Sequence, residues 1–407
     1  MKSLFIFIKP LTLLILGLLG IYLLNPFNYG YLFGYILAVI IISKSSFLVE
    51  NLDMDLIMIL LFSTTYALFY SFDFESQGKQ FIAIYAITPP TFYLLGKYLV
   101  KDRPNIQALF YLLFGIAVMF SMTAAVSVFL NFMQGGFVQI ERTIGLFWDN
   151  RPVSATTMGS FFTLTMCTPA LLILGGGKKD VFFKIAALFV FTISLICCIR
   201  LGSRTQLGVF LITTILAILY VVPRQSIKKN ITLIILLGLI GYYISTKVSF
   251  NLNADWLTTF SDRMGKQGSD ISSGGGRTER WVKSLEYLFK YPLGWDYNEF
   301  GHAHNFWLDV LRVTGIVPFF ILLISTVKSI NQIRLAIKVN KQAIALNGQI
   351  LVYGFAFFMV FMVEPVMDGI FMTFVVFCVY QGIINKYKSN FLEENSSANL
   401  SYTKNNI

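Results

Sequence analysis

The chain has 407 residues, 56% of them hydrophobic and only 13% charged, with a formal net charge of +11. Average globular domains carry about a quarter charged residues, so this composition excludes an ordinary water-soluble enzyme and describes a polytopic membrane protein. The positive balance does not signal nucleic acid. Most Lys and Arg fall in short turns between apolar runs, where they act as orientation signals.

A hydrocarbon core takes about 20 apolar residues per helix, and runs of that size number about twelve. They lie near 4–24, 30–45, 55–71, 81–99, 107–131, 154–174, 181–199, 204–222, 231–247, 305–326, 346–363 and 367–385. The first run is interrupted by Lys9-Pro10 and is followed by no small-residue cleavage pattern, so it reads as an uncleaved span. Pro89-Pro90 predicts a kink in the fourth. Cys167, Cys197, Cys198 and Cys378 all fall inside apolar runs and read as small core residues, not as a disulfide or metal set. The expected fold is therefore all-α. Residues 1–247 hold nine spans, 248–304 form one large outward loop with short helices, 305–385 hold three more spans, and 386–407 are a tail.

Orientation follows from alternate turns carrying Lys97/Lys101/Arg103, Lys178/Lys179/Lys184, Arg224/Lys228/Lys229, Lys328/Arg334/Lys338/Lys341 and Lys386/Lys388. They share one side if both termini are cytoplasmic. Three outward segments break the rule: Gln139–Val153 with Arg142 and Arg151, Ile199–Thr205 with Arg200 and Arg204, and the long loop with Arg263, Arg277 and Arg280. In the first two every basic residue is arginine, the residue suited to bidentate pairing with phosphate or carboxylate.

In this topology even-numbered spans begin at the outer face, with free N–H groups and a positive dipole directed outward. Asn150-Arg151-Pro152 opens the sixth, Gly202-Ser203-Arg204 the eighth and His304-Asn305 the tenth, while Gly274-Gly275-Gly276-Arg277 enters a helix within the loop. An arginine at a helix start is electrostatically unfavourable unless an anion compensates it. Such ends gathered on one face would bind an anion, and a lipid pyrophosphate fits the requirement.

Plainer readings stand beside each of these. Arg277, Trp281, Leu285 and Leu288 share the face of an amphipathic helix that could lie on the bilayer. Ser203-Arg204 could be an N-cap followed by a snorkelling arginine, and Arg200 a mere flank of its span. His302-Ala303-His304 with Asp296 or Glu299 offers too few ligands for a metal site, so none is expected. A neutral imidazole accepting a proton from a sugar hydroxyl suits the pair better, and a histidine that caps a helix is the bland alternative. Asp309 and Arg312, three apart in the tenth span, read as a mutually neutralising pair. Glu364 and Asp368 flank an outward turn as cavity-lining candidates.

These residues together resemble the O-antigen polymerase and O-antigen ligase superfamily. The resemblance is carried by Ser203-Arg204, Arg277-x-x-x-Trp281, Pro292-Leu293-Gly294, His304-Asn305, Gly315, and the upstream Gly145-Leu146-Phe147-Trp148-Asp149-Asn150-Arg151-Pro152. Two departures are Trp295-Asp296 after Gly294, where a second glycine is common, and an arginine inserted between Asn150 and Pro152.

The resemblance implies a bacterial inner-membrane glycosyltransferase with its active site facing the periplasm. Donor and acceptor would be undecaprenyl-pyrophosphate-linked oligosaccharides, joined with inversion and without metal, nucleotide or other cofactor. Arg204 and Arg277, supported by Arg280, would hold pyrophosphate, and His304 would sit at the chemistry. Arg151, Arg200, Trp281, His302, Asn305 and Asp309 are supporting candidates. Membrane lipid, a chain-length regulator and a flippase are the partners it implies. The alternatives are a ligase that passes finished glycan to lipid A core and, in another class, a flippase or transporter for lipid-linked sugars.

Overall fold

The computed structural model describes residues 10–72, 78–102, 105–137, 143–175, 181–247 and 276–404, with side chains from 11 to 393. The chain begins with α1 (Pro10–Leu24), α2 (Gly30–Ile42), α3 (Ser45–Glu50), α4 (Met54–Tyr70), α5 (Gln80–Leu99) and α6 (Ile106–Gly135). Then come a hairpin of β1 (Thr143–Gly145) and β2 (Pro152–Ser154), α7 (Ala155–Ser160), α8 (Thr168–Leu174), α9 (Val181–Leu201), α10 (Arg204–Val221) and α11 (Ile227–Lys247). It continues through α12 (Arg277–Lys290), α13 (Phe306–Thr314), α14 (Ile316–Val339), α15 (Ile344–Val363), α16 (Val366–Gly369) and α17 (Phe371–Lys404). Two compact units result: Met1–Phe120 with Gly276–Ile407, and Ser121–Gly275.

Among the described residues six helices are long and apolar enough to cross a membrane: Ile106–Gly135, Val181–Leu201, Arg204–Arg224, Ile227–Lys247, Ile316–Val339 and Ile344–Val363. Four more apolar helices, Leu11–Leu24, Gly30–Ile42, Met54–Tyr70 and Thr165–Leu174, are shorter. The surface agrees with a lipid environment. α11 has no buried residue, and Ile234 and Tyr242 on it are 68% and 70% exposed. An apolar helix without protein cover needs hydrocarbon around it.

Several sequence expectations are corrected. The sixth span, expected over 154–174, is not one helix: α7 ends at Ser160, and a turn and a 3-10 segment (Thr165–Cys167) precede α8. The hydroxyls of Ser160, Thr163, Thr165 and Thr168 each donate to the carbonyl three residues back, at 2.5–3.2 Å. Hydroxyls bonded to the backbone in this way compete with helical geometry, and Pro169 adds a residue without an N–H.

The tenth span is likewise broken. α13 stops at Gly315, whose φ is +75°, and α14 starts afresh. The tail expected from 386 continues α17 as helix to Lys404. The architecture is all-α apart from one short hairpin, in which β1 and β2 pair antiparallel with Thr143 opposite Ser154. α5 runs without interruption through Pro89-Pro90. Residues 248–275 of the expected outer loop, with Arg263, and also Arg142, lie outside the described residues.

In the first unit α5 packs against α2, α4 and α17, and α14 lies against α4 and α17. A Cβ on Gly96 would meet the carbonyl oxygen of Val379, and one on Gly382 that of Tyr93. Small residues thus let α5 and α17 approach backbone to backbone, a contact typical of membrane helices.

A polar network closes one end of this bundle. Asp53 caps α4 through Leu56 N at 2.8 Å, accepts from Tyr93 Oη at 3.0 Å and pairs with Lys97, whose Nζ also reaches Asn51 O at 3.0 Å. Asp55 accepts from Gln332 at 2.7 Å and Asn385 at 2.9 Å and lies 3.4 Å from Lys328, while Lys388 donates to Gln332. Two lysines from separate basic turns, Lys97 and Lys328, therefore pair with two aspartates of one short segment, and Lys388 joins them through Gln332.

Candidate active site

At the opposite end of α17, the first unit builds a second polar cluster around residues 302–305. α12 supplies one wall. Its N-cap, Gly276, is left-handed at φ +74°, which turns the chain into the helix at Arg277. Trp281 Nε1 donates to Ala303 O at 2.9 Å, and Arg280 Nη1 donates to His302 O at 3.1 Å.

α13 supplies the other wall. Asp309 accepts from Ala303 N at 2.7 Å and from Asn305 N at 3.0 Å, so its carboxylate brackets His304 from both sides. Asn305 caps α13 by accepting from Leu308 N at 3.3 Å. Between these fastenings His304 adopts φ +54°, a left-handed conformation that costs a non-glycine residue about 1–3 kcal/mol unless its surroundings impose it.

The glycine motif explains how the walls meet. A Cβ at Gly294 (φ +102°) would collide with the carbonyl oxygen of Arg312, and one at Gly315 (φ +75°) with that of Pro292. Backbone bonds cross the same junction: Trp295 N to Arg312 O at 3.0 Å and Ile316 N to Pro292 O at 2.9 Å. The Pro292-Leu293-Gly294 turn and the α13–α14 break are thus two halves of one joint.

The histidines face different neighbours. His302 Nδ1 lies 3.8 Å from Asp309 Oδ1 and 3.7 Å from Asp368 Oδ2, and its ring centroid is 5.0 Å from that of Tyr297. Arg312 pairs with Asp368 at 2.9 Å and not with Asp309, the partner its sequence spacing suggested. His304 lies under the influence of Arg277 and Arg280. The two imidazole centroids are 6.1 Å apart.

Burial is the first cause that pushes His304 down to about 4, followed by Arg277, His302 and Arg280. Burial also pushes His302 down to about 4, followed by Arg312 and Arg280. Both rings are neutral at pH 7, and the Nδ1 atom of each is buried without a hydrogen-bond partner among the described residues. Asp296 and Glu299 are used locally: Asp296 accepts from Asn298 N at 2.7 Å, and Glu299 accepts from Tyr287 Oη at 3.1 Å. Among the described residues no group of three or more His, Cys, Asp or Glu is arranged to hold a metal ion.

The first unit therefore brings together His302, His304, Arg277, Arg280, Trp281, Asn305 and Asp309, and adds Arg312 and Asp368. The other three arginines belong to the second unit. Arg200 is buried, with Nε and Nη2 both donating to Asn131 Oδ1 at 3.1 and 2.8 Å. Arg204 is exposed at the start of α10. Ser203 makes no capping bond there, because its hydroxyl turns to Gln206. Arg151 sits in the hairpin, its N–H donating to Asp149 Oδ1 at 3.1 Å and its carbonyl accepting from Leu146 N at 3.0 Å. Asn150 at its turn is left-handed, with φ +56°.

No family model and no curated protein matches the chain. Its function must be reasoned from the chemistry of the site.

Proposed function

We propose that the 277–312 segment binds a lipid-linked pyrophosphoryl sugar at the outer face of a bacterial inner membrane and transfers its glycan to a sugar hydroxyl. On this reading the protein is a surface-polysaccharide polymerase. The acceptor oxygen attacks the donor's anomeric carbon, the carbon–oxygen bond to pyrophosphate breaks, and undecaprenyl pyrophosphate leaves with the electron pair. The proton of the attacking hydroxyl goes to an imidazole. Charge accumulates on the leaving group, so fixed guanidinium groups beside it lower the barrier.

One observation carries this reading: two neutral imidazoles, His302 and His304, the latter bracketed by Asp309 and held left-handed, lie beside Arg277 and Arg280. Such a site offers both a proton acceptor and a receptor for developing phosphate charge. It lies in a chain whose long apolar helices suit a lipid-borne substrate. The order of the sequence motifs agrees with it.

The test is a chain-length ladder of surface glycan from cells carrying the native gene, a deletion, or Arg277→Ala. Deletion and Arg277→Ala should both leave single capped repeat units without polymer. Polymer that is made but stays on its lipid carrier would instead identify a ligase, and a normal ladder from Arg277→Ala would refute the assignment.

A further inference from the structure

Two carboxylate oxygens lie within 4 Å of His302 Nδ1, whereas among the described residues no ion-pair contact to a carboxylate is made by His304, and this divides the chemistry between the two histidines. We infer that His302, backed by Asp309 and Asp368, is the catalytic base that takes the acceptor's proton, whereas His304 is a hydrogen-bond donor to the departing pyrophosphate. This assignment rests on the proposed glycosyl transfer and deepens it.

The argument begins with tautomers. A carboxylate facing one ring nitrogen of a histidine holds a proton on that nitrogen and leaves the other as the acceptor. His302 Nδ1 faces two carboxylates, at 3.8 and 3.7 Å, contacts loose enough to tighten when substrate arrives. Its Nε2 is thereby set to receive a proton. The imidazolium that forms faces Asp368, whose charge is shared with Arg312, and Asp309, whose carboxyl burial pushes up to about 7.

The other groups around His302 are Arg280 from α12, Tyr297 from the preceding turn, Arg312 from α13, and His304. Of these cations, Arg312 is already paired with Asp368 and Arg280 is turned to the His302 carbonyl.

His304 has the reverse environment. Its neighbours are Arg277, Arg280 and the neutral ring of His302, and Asp309 reaches the backbone on either side of it, through the N–H groups of Ala303 and Asn305, with no ion-pair contact to its ring. A proton arriving on His304 would meet cations, whereas an N–H donated to a phosphate oxygen would join them in stabilising an anion. Its left-handed backbone, imposed from both flanks, is the kind of strain found at residues whose side chain must be aimed.

The step balances. The hydroxyl oxygen bonds to the anomeric carbon as the bond to pyrophosphate breaks. The hydroxyl proton passes to His302 Nε2, and the leaving electron pair stays on the pyrophosphate, facing Arg277, Arg280 and the His304 N–H.

The experiment uses the purified full-length protein, farnesyl pyrophosphate as a soluble probe of the pyrophosphate site, and the glycan ladder as the turnover readout. His304→Asn is the informative variant at 304, because asparagine tolerates the left-handed conformation better than most residues. His302→Gln removes the base and keeps a polar side chain. Both are first checked for native elution by size exclusion.

Expected is a tenfold or greater loss of farnesyl pyrophosphate affinity in His304→Asn. His302→Gln should bind within about twofold of native yet extend glycan about 10²–10⁴-fold more slowly, the range of a lost general base. Normal binding in His304→Asn, or a binding loss in His302→Gln as large as in His304→Asn, overturns the division of roles while leaving glycosyl transfer standing. Native ladders from both variants overturn the division and the transfer reading together.

Discussion

The first unit contains two polar clusters at opposite ends of one helix bundle, and they are satisfied to different degrees. From Phe371 to Lys388 along α17 the rise is ~26 Å, close to the thickness of a hydrocarbon core. At the Lys388 end, Asp53 has Lys97, Tyr93 and a backbone N–H, and Asp55 has Gln332, Asn385 and Lys328. At the Phe371 end, four buried nitrogens lack a hydrogen-bond partner among the described residues: His302 Nδ1, His304 Nδ1, Arg312 Nε and Trp295 Nε1. Buried polar groups in folded proteins are nearly always paired. Although Tyr98 Oη and Tyr387 Oη are also orphaned near the Lys388 end, the charged and amide groups of the Asp53–Asp55 network named above are bonded, whereas the Nδ1 atoms of the histidines are not. The first cluster holds the bundle together, and the second is where the proposed function puts the pyrophosphate.

The largest effect that would sharpen this contrast is on stability at the satisfied end. Lys97→Met leaves Asp53 without its buried cation and should cost about 3–5 kcal/mol, the range for breaking a buried pair. Denaturation of the purified protein in detergent would read this as a lowered midpoint, while protein that remains folded keeps its farnesyl pyrophosphate affinity. A lost affinity with an unchanged midpoint would reverse the roles of the two ends.

Next in size, Arg277→Ala should slow glycan extension roughly 10²–10³-fold, by analogy with loss of one oxyanion donor, and leave the midpoint alone. Gly294→Ala drives a methyl group into the Arg312 carbonyl and should cost about 1–3 kcal/mol as an overpacked site. It would lower the midpoint and, by shifting α13, also weaken turnover.

A pH effect comes next. Both histidines sit near 4 in the fold, below the about 6.5 of an unfolded chain. The histidines' contribution is present in full above about pH 6.5 and is lost as pH falls from there toward 4, because the unfolded chain takes up protons first, while Asp309, pushed up to about 7 by burial, offsets part of it in the opposite sense. The double variant His302→Gln with His304→Asn should flatten that decline in a midpoint-against-pH series.

The smallest effect belongs to Arg200→Gln, which gives up a hydrogen-bonded contact with Asn131 and should alter the midpoint by about 1 kcal/mol while glycan extension stays near native. Arg204→Ala, judged on sequence grounds alone, should instead shorten the ladder.

Much of the architecture was legible in the sequence. Apolar runs of membrane length and the arginines between them could be read directly, because hydrophobicity and charge are local properties of a segment. α10 begins at Arg204 and α12 at Arg277, as the Gly-Ser-Arg and Gly-Gly-Arg patterns suggested. The breaks were less legible. The helix-favouring hydropathy of 154–174 hid a series of Ser and Thr hydroxyls bonded to backbone carbonyls, and 305–326 hid a joint that depends on Gly294 meeting a distant strip of backbone.

Within the site, the histidines and arginines announced themselves by residue type. The bracketing of His304 by Asp309 did not, because it consists of backbone N–H groups that no side-chain pattern encodes. Sequence spacing paired Arg312 with Asp309, and only the fold brought it to Asp368 instead. The positive φ of His304 had no signal at all, since nothing but its neighbours enforces it.

The most direct measurement compares farnesyl pyrophosphate binding by the native protein, Arg277→Ala and Lys97→Met, each purified whole and confirmed folded. The account predicts tight binding by the native protein and by Lys97→Met, with at least a tenfold loss in Arg277→Ala. Equal affinities in all three, or no binding by the native protein, would contradict it.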